Sequence, residues 1–118
     1  MATQTVTKFG FKAATPIETD LDGWRKIHGH PTMKTWIEYS ASDGSLISGW
    51  WSATPGTYHA TYLAPEFVHM IDGEVVITPD GGKPVTVKGG DAFVVEKGFV
   101  GTWKIEKEVL KHFTVKLK

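Results

Sequence analysis

Glycine and proline interrupt this chain at short, nearly regular intervals, and this spacing is the strongest limit on its fold. Asp-Gly occurs four times, at residues 22–23, 43–44, 72–73 and 80–81. This dipeptide readily adopts the positive φ angles of tight hairpin turns, so each occurrence predicts a turn between two strands. The segments between the breaks lack the length and apolar stripe of a substantial helix, and the best helical candidate, residues 20–27, contains Gly23.

The same segments are rich in β-branched and aromatic residues, which favours short strands. Strands are predicted over residues 34–39, 46–52, 57–63, 67–71, 74–78, 85–87, 92–95, 102–105 and 112–117. Many short strands separated by frequent turns are typical of an all-β sandwich or barrel. We therefore expect one all-β domain over residues 31–118, preceded by an N-terminal arm and edge segment over residues 1–30.

Composition excludes several classes of function. The 118 residues contain no cysteine, and 13 Lys and Arg balance 13 Asp and Glu. Thiol nucleophiles, disulfide scaffolds and iron–sulfur clusters are therefore excluded. Without net charge or a basic stripe, neither nucleic acid nor a membrane is expected as a partner. Residues 1–12 lack the apolar stretch of a signal peptide, and no run approaches the roughly 20 apolar residues of a membrane span, so a cytoplasmic location is expected.

One predicted strand carries a carboxylate on an apolar face. Alternation over residues 66–71 places Glu66, Val68 and Met70 on one face and His69 on the other. Burying a carboxylate is costly unless it is paired or hydrogen-bonded. If this face points inward, Glu66 is either a functional acceptor or general base, or a structural carboxylate satisfied by a neighbouring Tyr, Trp or backbone N–H.

Two segments resemble the motifs of the cupin family. Residues 66–73 resemble the first motif, in which glycine follows glutamate by seven positions, as Gly73 follows Glu66. Residues 90–98 resemble the second motif, with Glu96 in place of the usual proline. The string 98–103, with Lys111 following, is similar to the small cupins related to ureidoglycine aminohydrolase. The resemblance covers residues 31–117 and implies a double-stranded β-helix, or jelly-roll barrel, that commonly forms a homodimer.

The resemblance also indicates where a cupin metal would be held. Metal-binding cupins use three or four side chains inside the barrel, and their positions fall here at Glu66, at His59 with Thr61 or Ala60 with Tyr62, and at Gly101. A catalytic metal typically needs about three protein ligands. No tightly held metal or other cofactor is therefore expected, with a divalent metal on His59 and Glu66 as the weaker alternative. The glycine at a ligand position would leave room for an organic ligand.

Tryptophan and lysine supply further candidates. Trp103 would give a cavity an apolar wall and one N–H donor. Trp50 and Trp51 are adjacent, so one is expected in the core and the other at an interface or cavity wall. Lys111 would pair with Asp91 or a ligand carboxylate, or lie solvated on the surface. The predicted ligand-binding set is Glu66, His59, Thr61, Tyr62, Gly101 and Trp103.

Three functions follow from these residues. The leading hypothesis is a degenerate small cupin that binds a small polar or carboxylate metabolite in its barrel without a tightly held metal. The first alternative is a metal-dependent enzyme resembling ureidoglycine aminohydrolase, which would hydrolyse or isomerise a small nitrogenous metabolite with Glu66 and His59 as candidate catalytic residues. The second is a non-catalytic dimeric interaction module.

Overall fold

The computed structural model describes residues 5–118, in which the regular structure consists of β-strands joined in antiparallel pairs. The strands are β1 (Trp24–His28), β2 (Met33–Ser40), β3 (Leu46–Ala53), β4 (Gly56–Thr61), β5 (Glu66–Pro79), β6 (Val85–Lys88), β7 (Ala92–Val95) and β8 (Val100–Lys116). The sheet has the order β1-β4-β8-β3-β2, and β5 pairs with β6, β7 and β8. The prediction of an all-β domain is confirmed. In the described residues no helix is long and apolar enough to cross a membrane.

Two long strands hold the sheet together where the sequence predicted several short ones. β5 combines the predicted strands 67–71 and 74–78, and β8 combines 102–105 and 112–117. The predicted turn at Asp72-Gly73 is wrong, because both residues lie within β5 at irregularities in its pairing with β8. Gly73 has φ 101, and a Cβ there would lie 2.4 Å from the Glu108 carbonyl oxygen. Asp-Gly therefore supplies a bulge at this position, whereas the dipeptides at 43–44 and 80–81 do join paired strands.

The prediction that residues 20–27 do not form a substantial helix is confirmed, because a strand occupies the second half of them. Trp24 begins β1, which pairs antiparallel with β4, and Trp24 stands opposite Ala60. The Trp24 ring packs against those of Trp51 and Trp103, with centroids 5.6 and 5.2 Å apart. Burial of this aromatic side chain on a sheet edge outweighs the weak local helical pattern.

The proposed domain boundary after residue 30 stays a prediction.

The face of β5 that alternation assigned to Glu66, Val68 and Met70 points into the barrel. Val68 and Met70 are fully buried beside Glu66. Trp51 is buried on the same side, while Trp50 packs on the outer face against His112, with ring centroids 4.1 Å apart.

Two of the three alternatives for Lys111 are wrong, and its pairing with a ligand carboxylate stays a prediction. Lys111 does not pair with Asp91 or lie on the surface, since its side chain is 2% exposed. In β8 it lies two residues from Val109 and from Phe113, which are both buried, so all three side chains share the face that points into the barrel.

Candidate functional site

The barrel holds a cavity of about 310 Å³ that is open to solvent on one side, and this volume is within the size range of small-molecule sites. Most of its wall is apolar, with contributions from Leu21, Trp24, Ile37, Ile47, Phe113 and Val115. Glu66, Lys111 and Tyr62 supply polar groups to the same cavity. A larger groove of about 680 Å³ runs beside Lys12 and the end of β3. We place the candidate site in the barrel because the buried charged pair lies there.

A buried ion pair and a phenol form the polar end of this cavity. The Lys111 Nζ donates a hydrogen bond of 2.9 Å to Glu66 Oε2, and the Tyr62 hydroxyl donates one of 2.8 Å to Glu66 Oε1. Glu66 begins β5, Lys111 lies on β8, and Tyr62 lies between β4 and β5. Both carboxylate oxygens are thus engaged, which offsets the cost of burying the charge.

Aromatic rings complete the surroundings of the Lys111 ammonium. Its Nζ lies 4.5 Å from the ring centroid of Trp51 and 4.6 Å from that of Trp103. Both distances are within the range of cation–π attraction. Burial lowers the pKa of Lys111, and the Glu66 carboxylate opposes this shift. Burial raises the pKa of Tyr62, and the Glu66 carboxylate raises it further, so the phenol stays a protonated donor.

The cavity contains more hydrogen-bond donors than the protein itself uses. Among residues 5–118, three buried polar atoms have no hydrogen-bond partner: Trp51 Nε1, Trp103 Nε1 and Thr35 Oγ1. Trp51 and Thr35 line the cavity. The bond to Glu66 uses one of the three N–H groups of the Lys111 ammonium. An unsatisfied buried polar group costs about 1–3 kcal/mol. A ligand with acceptor oxygens would therefore be favoured in this cavity.

Three of the sequence-predicted ligand-binding residues lie on the cavity wall. They are Glu66, Thr61 and Tyr62. Trp103 is fully buried and contributes through its ring, which lies beside the Lys111 ammonium.

His59 and Gly101 are not brought to the cavity. His59 alternates with the buried residues Tyr58 and Ala60, and its Nε2 lies 3.1 Å from Asp80 Oδ2. Gly101 packs against the backbone of β5, where a Cβ would lie 2.2 Å from the Thr78 carbonyl oxygen. Neither residue is among those that line the cavity.

The side chains present do not fit the divalent metal of metal-binding cupins. Within residues 5–118, no three His, Asp or Glu side chains are close enough together to hold a metal ion. The two oxygens of Glu66, the residue at the cupin ligand position, are engaged by an ammonium and a phenol. Adding His59 would require it to face the other side of β4.

Sequence reasoning missed two features of the site. The Glu66–Lys111 pair joins residues 45 positions apart, and its local signal was the two-residue spacing that puts Lys111 on the same strand face as Phe113. Thr35 had no signal, since a threonine in a predicted strand is most often a plain strand residue.

Comparison with known proteins gives a consistent picture of the fold. Residues 41–113 match the sequence profile of the EutQ-like cupin domain. A search of curated proteins gave no match. The EutQ protein of Clostridium difficile is similar in structure, with a TM-score of 0.66 and 18% identity over 74% of this chain and 69% of that one.

Two further solved structures agree. A protein of unknown function in the DUF861 family, from Pseudomonas syringae pv. tomato, has a TM-score of 0.72 and 22% identity over 89% of this chain. The match covers only 46% of that protein, so this chain corresponds to less than half of its length. The polyketide cyclase RemF of Streptomyces resistomycificus has a TM-score of 0.67 and 12% identity over 97% of this chain and 81% of that one. These likenesses concern the fold, and the predicted jelly-roll barrel is confirmed.

Proposed function

This chain belongs to the EutQ-like cupin family, and we propose that its barrel binds a small carbonyl or carboxylate metabolite without a tightly held metal. The main support is the buried Glu66–Lys111 pair, which lies on the same cavity as Thr35 and Trp51, whose buried polar atoms have no partner in the described part of the chain. Together they offer donors for one or two ligand oxygens. A ligand bearing only donors would find Glu66 already engaged.

The charge and size of the cavity narrow the class of ligand. Glu66 and Lys111 neutralise each other in the buried part of the cavity, and the exposed Asp22 is the remaining charged residue on its wall. The buried part therefore does not require a charged ligand. The apolar wall formed by residues such as Ile37 and Ile47 suits a short carbon skeleton, and the volume of about 310 Å³ suits a small metabolite.

We also propose that the chain is related to the ureidoglycine aminohydrolase-like branch of the cupins. The support is the string at residues 98–103, followed by Lys111. The metal-dependent reaction of that branch is not part of the proposed function. Glu66 is engaged by Lys111 and Tyr62, and His59 lies outside the cavity.

A thermal-shift screen of small carboxylates, 2-oxo acids, ureides and amino acids tests the proposal. A ligand at about 100 times its Kd is expected to raise the stability by about 2.7 kcal/mol. Thr35→Val and Trp51→Phe each remove one donor and should weaken binding by about 3- to 10-fold, the effect of one lost hydrogen bond.

The matched control is His59→Gln, which changes a residue outside the cavity and should leave the Kd unchanged. If wild-type, Thr35→Val and Trp51→Phe protein bind the ligand with equal affinity, the ligand does not bind in this cavity. Elemental analysis of protein purified without chelators tests the metal-free part, and stoichiometric manganese, iron, nickel or zinc would contradict it.

We propose further that the protein is a homodimer that uses the outer face of β5 and β7. Phe67 and Val94 are cross-strand neighbours on this face and are 47% and 55% exposed. Paired apolar side chains of this size are typical of a surface that is covered by a partner. Sedimentation should show a dimer that Phe67→Glu converts to monomer.

Val85→Glu is the control for this dimer, because Val85 is an exposed apolar residue on a different strand, β6. It should leave the dimer intact. A monomeric wild-type protein, or equal dissociation by both variants, would contradict the proposed face.

A further inference from the structure

We propose that Lys111 reacts with the ligand, forming a protonated imine with the carbonyl carbon of an aldehyde, ketone or 2-oxo acid held in the barrel. This inference rests on the proposed function, because it specifies which ligands of that cavity would react and with which atom.

The first support is the placement of the amine. Among the described lysines, Lys111 is the buried one and the one that lines the cavity. A carbonyl compound that enters this cavity therefore meets a single amine, within a wall that is otherwise largely apolar. Amine nucleophiles held in such desolvated surroundings are the usual source of Schiff bases in proteins.

The second support is a proton acceptor on the amine. Glu66 Oε2 lies 2.9 Å from Lys111 Nζ, so it can take the proton that the ammonium must lose before its nitrogen attacks. Tyr62 donates to the other oxygen of Glu66 and holds the carboxylate in place.

The reaction balances without any further reagent. The neutral amine of Lys111 attacks the carbonyl carbon, a C–N bond forms, and the carbonyl electron pair moves to oxygen. That oxygen takes up the proton held by Glu66, giving a carbinolamine. Transfer of the second nitrogen proton through Glu66 to this hydroxyl expels water and leaves C=N⁺–H. One ammonium and one carbonyl thus give one protonated imine and one water.

The third support is that the surroundings of Lys111 suit the product as well as the reactant. The protonated imine carries the same single positive charge as the ammonium. The charge pairing with Glu66 and the attraction of the Trp51 and Trp103 rings are therefore retained. Thr35 and Trp51 offer donors to a second oxygen of the ligand, such as the carboxylate of a 2-oxo acid.

Reductive trapping tests the imine. Wild-type protein is incubated near pH 7 with pyruvate or with propanal, in the presence of sodium cyanoborohydride, and analysed by intact-mass and peptide mass spectrometry. We expect a single reduced adduct at Lys111, formed at least about 10-fold faster than at any exposed lysine. These exposed lysines are internal controls, so the result does not depend on a variant that folds. Lys111→Arg, which keeps the charge, should lose the adduct.

Thermal shifts are measured in parallel with pyruvate and with lactate, which lacks the ketone and cannot form an imine. This comparison separates imine formation from the binding that the proposed function requires. Stabilisation by both compounds without an adduct at Lys111 would overturn the imine and leave binding in place. Absence of both stabilisation and adduct across the 2-oxo acids and aldehydes tested would overturn both. An adduct spread evenly over exposed lysines would also overturn the imine.

Discussion

Replacing Glu66 with glutamine is expected to lower the free energy of unfolding by about 3–5 kcal/mol, the usual cost of leaving one partner of a buried ion pair alone. The Lys111 ammonium, which is 2% exposed, would then contact two aromatic rings but would have no carboxylate to balance its charge. The melting temperature should fall by about 10–20 °C for a domain of this size. Urea denaturation at pH 7 measures the loss.

Two variants serve as controls for this result. Glu106 forms an exposed pair with Lys104 at 3.3 Å, so Glu106→Gln should cost at most about 1 kcal/mol. The double variant Glu66→Gln with Lys111→Met removes both charges and should recover most of the loss, which a double-mutant cycle would report as coupling. A loss in Glu66→Gln no larger than that in Glu106→Gln would contradict the buried pair.

The pH dependence of Glu66→Gln has a definite sign. Without the carboxylate, which opposes the effect of burial, the pKa of Lys111 falls further below the value near 10.5 that it has in the unfolded chain. The unfolded state therefore binds more protons between the lowered pKa and 10.5, and stability rises with pH through that window. The difference in the free energy of unfolding between wild type and Glu66→Gln should therefore be smaller at pH 9.5 than at pH 7.

Much of the fold could be read from the sequence because burial alternates along the strands. Glu66, Val68 and Met70 share the inward face as alternation predicted. The two long strands were missed because the strand pattern is interrupted within each of them. In β5, Asp72-Gly73 has the sequence of a turn, and in β8, residues 106–108 are all charged. β8 continues through this charged stretch because it pairs with β5, β4 and β3, and such long-range pairing is not visible in local sequence.

The site was less predictable than the fold. Glu66 and Tyr62 were found because they lie close together in sequence and in one motif. Lys111 was noticed, but its pairing with Glu66 was not predicted, since only the curl of the sheet brings it to a carboxylate 45 positions away. His59 was a candidate by its spacing from Glu66, yet alternation along β4 turns it away from the buried Tyr58 and Ala60.

Gly101→Ala is expected to destabilise the protein by about 3 kcal/mol or more, at the upper end of overpacking effects. The new Cβ would lie 2.2 Å from the Thr78 carbonyl oxygen and 2.8 Å from the Pro79 Cα, and neither backbone atom can move without disturbing β5. β5 and β8 are directly paired here, with Pro79 opposite Gly101, so the clash would force two central strands apart. Thermal and urea denaturation measure the effect.

The same substitution decides between two roles for Gly101. If Gly101 is a cupin ligand position that gives room to an organic molecule, as the resemblance implies, Gly101→Ala should weaken ligand binding with little loss of stability. If Gly101 instead serves to pack against β5, Gly101→Ala should lose stability with no specific effect on ligand binding. Gly81→Ala is the control, because Gly81 has φ 73 but nothing within 4 Å, so only backbone strain of about 1–2 kcal/mol is added. A Gly101→Ala protein as stable as this control but unable to bind ligand would place Gly101 in the binding site.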